Sequence, residues 1–229
     1  GIYGFVGLIF DTDNFAGVNA LRSTLSGVNM TGECNIFDGN GSGIFLGSSQ
    51  IRESSITGRN QQSSNMVSPA GHGVTFIEGT VEDCSIQGCF TFVNDIVESN
   101  AIACFFQLVT FTAQNSVWCT AQAGKAGIDI ESGTIEGVAD FVGLAFDPLF
   151  TTMISKGILI TDSVNVIATK LILDGQGENG VVLGTANAMT VEVETLSIYG
   201  SGSSDIGHGV QLNGHTIEAS YINITAVEG

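Results

Sequence analysis

Apolar and polar residues alternate along this chain in short runs, each opened by a glycine and closed by a turn. Gly43-Ile-Phe-Leu, Gly73-Val-Thr-Phe, Gly127-Ile-Asp-Ile, Gly157-Ile-Leu-Ile, Gly180-Val-Val-Leu and Gly209-Val-Gln-Leu share one plan. Several run on through a small-residue turn into a second strand-like segment, as in Ile51-Arg-Glu-Ser-Ser-Ile-Thr-Gly58 and Val81-Glu-Asp-Cys-Ser-Ile-Gln-Gly88. The starts are 30, 54, 30, 23 and 29 residues apart, and the interval of 54 reads as two units with a degenerate one around Ala101-Ile-Ala-Cys-Phe-Phe106. Period-two alternation puts Val74 and Phe76 on one face of a strand and Thr75 on the other. Strands this short cannot bury an apolar face alone. Units of this size do so by stacking on one another, which predicts a β-solenoid.

The pattern also repeats at longer range. Gly73, Val74, Thr80, Glu82 and Ile86 have counterparts at Gly209, Val210, Thr216, Glu218 and Ile222, an offset of 136 residues. Val6-Gly-Leu-Ile-Phe-Asp11 returns as Val142-Gly-Leu-Ala-Phe-Asp147 at the same offset. Residues 1–90 and 137–229 therefore read as duplicated halves joined by a central bridge, 91–136, within a single β-helix domain spanning 1–229. The expected architecture is all-β: a right-handed parallel β-helix of about eight to nine coils, with rungs roughly 4.8 Å apart and glycine at the corners. A β-sandwich uses similar short strands but does not explain glycine-led units recurring in phase.

Composition sharpens this picture. Thirty-one glycines against two prolines suit many strands and tight turns. Six basic against 23 acidic residues give a net charge of −17, which repels nucleic acid and anionic membranes. No apolar run is long enough to cross a membrane as a helix. Only 13% of residues are charged, and the mean hydropathy is +0.33. An apolar chain of this charge points to a continuous core and to surface covered by other subunits. The five cysteines, Cys34, Cys84, Cys89, Cys104 and Cys119, show no CxxC spacing and read as buried free thiols of a protein assembled in a reducing cytosol. The chain opens on Gly1 in strand-like sequence, as a fragment of a longer chain would.

Gly71-His-Gly-Val-Thr-Phe, Gly127-Ile-Asp-Ile and Gly207-His-Gly-Val-Gln-Leu, each followed by a second strand, resemble the right-handed parallel β-helices of the pectate-lyase-like class. Within that class the likeness is to bacteriophage tailspikes and tail fibres. It implies a homotrimer that contacts host-surface polysaccharide and other virion proteins, on the virion surface or otherwise extracellular. Fold alone does not transfer function.

Chemistry is sparse. Asp11-Thr-Asp13 and Gly71-His72-Gly73 are similar to elements of polygalacturonase-type glycoside hydrolases. The Asp-Asp pair and the Arg-Ile-Lys of those enzymes are missing, and Gly-His-Gly occurs twice, as a structural corner would. No catalytic residue is assigned, and a polysaccharide-cleaving alternative rests on Asp11, Asp13 and His72. No metal or cofactor motif stands out. Binding is expected in the polar stretches before each Gly-His-Gly, around Arg59, Gln61, Gln62, Asn65, Ser203 and Asp205. Phe90, Phe92, Phe105, Phe106, Phe111 and Trp118 crowd the central region as core, interface or sugar-stacking rings. The leading expectation is a receptor-binding, structural component of a phage or virus fibre. A secreted bacterial surface or filament protein is a further alternative.

Overall fold

The computed structural model describes residues 2–9, 15–36, 41–62, 71–92, 101–122, 124–146, 155–184, 189–202, 207–213 and 216–228. Among these there is no helix, and every strand pairing is parallel. The strands are β1 (Ile2–Ile9), β2 (Phe15–Leu21), β3 (Thr24–Ser26), β4 (Asn29–Ile36), β5 (Gly41–Arg52), β6 (Ser55–Gln62), β7 (His72–Glu82) and β8 (Ser85–Phe92). They continue with β9 (Ile102–Thr112), β10 (Gln114–Gln122), β11 (Ala126–Phe146), β12 (Lys156–Gly177), β13 (Asn179–Leu183), β14 (Thr190–Gly202), β15 (Val210–Leu212) and β16 (Thr216–Glu228).

Each coil lays a strand on three faces in turn. The first face stacks β2, β5, β7, β9, β11, β12, β13 and β15, and the third stacks β1, β4, β6, β8, β10, β11, β12, β14 and β16. The second face is short, pairing β3 with the end of β5 and continuing through β7, β9 and β11. The chain is thus a parallel β-solenoid.

In-register stacking turns period-two alternation into columns. On the first face Ile44, Val74, Cys104, Ile128, Ile158 and Val181 lie one above another facing the interior. On the third, Met30, Ile56, Ile86, Val117, Phe141, Leu173 and Ile198 do the same. All are buried. Phe111 packs edge-to-face between Phe106 and Phe141, with ring centroids 5.1 and 5.2 Å apart, tying neighbouring coils together. The solenoid closes about six turns, fewer than the eight to nine coils read from the sequence. The interior pairs are fully buried from Ile44 and Leu46 to Val181 and Leu183, whereas Ala20, Val210 and Leu212 on the terminal rungs are only partly covered or exposed.

Glycine is used differently from the sequence expectation. Gly32, Gly58, Gly88, Gly143, Gly175 and Gly200 share one column of the third face, interrupted by Cys119. They oppose Gly43, Gly73, Gly127, Gly157, Gly180 and Gly209 on the first face, and the two sheets approach so closely that a Cβ would strike the opposite backbone. A Cβ on Gly127, for example, would lie 2.6 Å from Leu144 N and 2.7 Å from Gly157 O. The unit starts read from the sequence are this column. Gly-His-Gly is correspondingly not a corner: Gly73 and Gly209 are close-approach positions at the start of first-face strands. The corners are held largely by Arg22, Ser48, Glu53, Glu78, Asp83, Leu108 and Ala113, all at positive φ between 48° and 63°.

The cysteine expectation is also corrected. Cys104 and Cys119 form a disulfide across the interior of one coil, with Cα atoms 6.0 Å apart, while Cys34, Cys84 and Cys89 are free. Cys119 stands in the glycine column directly over Gly88, and Cys104 Sγ lies against that same glycine. Where the two sheets come closest, two inward sulfurs meet.

Candidate functional site

The outer surface of the third face carries exposed aromatic, hydroxyl and carboxylate side chains. Outward positions align into columns as regular as the interior ones. One column runs Thr57, Gln87, Trp118, Val142, Asp174, Tyr199. Its neighbour runs Ser85, Ser116, Asp140, Ile172, Ser197. Trp118 and Tyr199 are 48% and 39% exposed. They lie three rungs apart, about 14 Å along the rod axis at the usual strand spacing. Parallel pairing keeps both rings on one line, with hydroxyl, amide and carboxylate side chains between and beside them.

Asp174 is the electrostatic centre of this surface. Burial, and then the Asp140 carboxylate on the neighbouring rung, raise its pKa. Its Oδ1 is shielded from water and has no hydrogen-bond partner among the described residues. An acceptor desolvated without a donor is costly, and positive charge brought beside the carboxylate would offset part of that cost.

A second polar cluster lies on the first face. Asp129 is 1% exposed, its Oδ2 is 3.7 Å from Lys125 Nζ, and burial pushes its pKa up to about 6 against the pull of Lys125. Burial likewise lowers the pKa of Lys156, with Lys125 acting in the same direction. His72 stacks on Phe105 with centroids 5.3 Å apart, and its Nδ1 accepts from the Ile102 backbone N–H at 3.3 Å. Burial brings its pKa down to about 4. The histidine is thus a neutral, packed group held by its own sheet, and Asp129 is closed off from any large substrate.

Of the residues singled out in the sequence, Asp11, Asp13, Asn65, Ser203 and Asp205 lie outside the described residues. Arg59, Gln61 and Gln62 belong to β6 rather than to a loop. Arg59 and Gln61 point outward, the former 3.7 Å from Glu33, whereas Asn60 and Gln62 are buried. Asn60 Nδ2 donates to Gly41 O in the interior. Phe90, Phe106 and Phe111 are core, Phe105 is half-buried against His72, and Trp118 is exposed. Tyr199, Asp140 and Asp174 escaped sequence reasoning because their alignment with Trp118 depends on register across coils of unequal length.

An open groove of about 520 Å³ lies between Ile167, Glu192, Glu194 and Glu218 near the last rungs. Among the described residues no group of three or more His, Cys, Asp or Glu could hold a metal ion. No family model matches this chain, and no curated protein or solved structure is similar enough to it to count as a match.

Proposed function

We propose that the chain is a rod-shaped attachment module of a phage or virus-like tail fibre or tailspike, and that its third face holds a host-surface oligosaccharide lengthwise between Trp118 and Tyr199. One observation carries this reading: two solvent-exposed aromatic rings on a single outward column of a parallel sheet. Aromatic faces stack on the apolar faces of sugar rings, and the Ser, Thr, Gln and Asp side chains around them supply hydrogen bonds for hydroxyls. A rigid sheet holds these groups in place before the ligand arrives, which lowers the ordering cost of binding. The apolar composition, at a net charge of −17, supports assembly of such rods into a homotrimer.

Binding rather than cleavage is the activity proposed. His72 is a packed, neutral group, and Asp129 is sealed from substrate. A polysaccharide panel tests the reading: at least one neutral or basic glycan binds, Trp118→Ala weakens that binding roughly tenfold or more, and no new reducing ends form. Light scattering of the dissolved protein tests the assembly, with a discrete trimer expected. Reducing-end release from the bound glycan, or binding indifferent to Trp118→Ala, would count against the proposal.

A further inference from the structure

Resting on that reading, we infer that the Trp118–Tyr199 face selects glycans built from amine-bearing sugars and discriminates against those built from uronic acids. Between the two rings the column presents Val142 and then Asp174, and Asp140 stands on the rung of Val142 in the adjacent column. A sugar chain lying from ring to ring therefore passes two carboxylates on successive rungs. The one lysine on the same stretch of this face, Lys170, aligns with Val138 and Thr195. It sits four residues along β12 from Asp174, about 13 Å away on an extended strand.

The two carboxylates oppose each other, and Asp174 is already partly desolvated without a donor. An ammonium group placed beside them relieves the repulsion between the two carboxylates. A uronate carboxylate would add a third negative charge to a surface that belongs to a chain of net charge −17. Rejection by like charge is a source of specificity independent of ring stacking. The rings would bind either sugar backbone, and Asp140 and Asp174 decide between them.

Equilibrium titrations with a glucosamine oligomer, its N-acetylated counterpart and an oligogalacturonate of equal length test this, following the emission of Trp118, the sole tryptophan. The glucosamine oligomer should bind at least tenfold tighter than the other two at low salt. That margin should shrink as salt screens the pair, and it should vanish in the isosteric Asp140→Asn, Asp174→Asn double variant. Oligogalacturonate binding as tightly as glucosamine oligomer, or a preference that survives the double variant, overturns the inference. If the N-acetylated oligomer binds through Trp118 with equal affinity, only the charge selection fails. If none of the three perturbs Trp118 and Trp118→Ala changes nothing, the glycan face itself fails with it.

Discussion

Gly200 and Gly209 face each other across the solenoid interior so closely that a Cβ on Gly209 would lie 2.6 Å from the carbonyl oxygen of Gly200, and one on Gly200 would collide with Gly209 in return. The same opposition recurs down the rod between Gly58 and Gly73, Gly143 and Gly157, and Gly175 and Gly180. Two sheets at backbone distance leave no room for side chains. The apolar columns on either side fill the wider parts of the cross-section.

Alanine at any of these positions should therefore destabilise more than its size suggests. Overpacking typically costs about 1–3 kcal/mol, and here the obstacle is backbone, which yields less readily than a side chain. Gly58→Ala or Gly175→Ala should lower the unfolding free energy by at least that amount. Gly27→Ala, where nothing lies within 4 Å but φ is +66°, provides a contrast limited to turn strain. Urea unfolding followed by circular dichroism measures both.

The glycine unit starts were legible in the sequence because the residue recurs in phase, but its purpose was not. A glycine needed for a left-handed corner and one needed for close approach look alike in one dimension. Leu108 and Ala113 at corners show that position, not composition, sets φ there. Polarity misled at Asn60 and Gln62, which point inward in β6 although the surrounding stretch reads as a loop. Trp118 stood out, but its partner Tyr199 did not, since coils of 23 to 30 residues place them in one column only when the register is known.

The disulfide interrupts the glycine contact where Ala103 and Cys119 replace glycine, so it takes over the tie between the two sheets at that coil. Thiol titration of the unfolded, unreduced protein should give three reactive groups, those of Cys34, Cys84 and Cys89. Five would contradict the linkage. Peptide mapping should recover Cys104 joined to Cys119, and the Cys104→Ser, Cys119→Ser double variant should lose roughly 3 kcal/mol, the usual contribution of a bridge closing a loop of about 15 residues.

His72 and Asp129 should give opposing pH dependences. Asp129 has a folded pKa near 6, above the ordinary carboxylate value of 3.8, so its contribution is fully present below pH 3.8 and is lost as pH rises to about 6. His72 has a folded pKa near 4, below the ordinary 6.5, so its contribution is present above pH 6.5 and is lost as pH falls to about 4. Each amounts to about 3 kcal/mol. In the wild type the two largely cancel, leaving stability nearly level across this window. Asp129→Asn should uncover a loss of stability on acidification, and His72→Gln a gain. Thermal unfolding at half-unit pH steps reads both slopes, and parallel slopes in the two variants would refute the assignment.

Tyr199 and Trp118 should weaken binding separately when removed. Tyr199→Ala is expected to reduce glycan affinity by roughly tenfold, the loss of one stacked aromatic ring at about 1–1.5 kcal/mol, and to leave the unfolding midpoint unchanged because the ring is exposed. A drop in stability with no change in affinity would place Tyr199 in packing instead.

Trp118 is the only tryptophan, so its fluorescence reports the third face without labelling. Titrating the protein with the tightest-binding oligosaccharide of the panel should produce a saturable blue shift of that emission, with a midpoint equal to the calorimetric Kd. A glycan that binds by calorimetry while leaving Trp118 unperturbed would put the binding surface elsewhere on the rod and contradict the account.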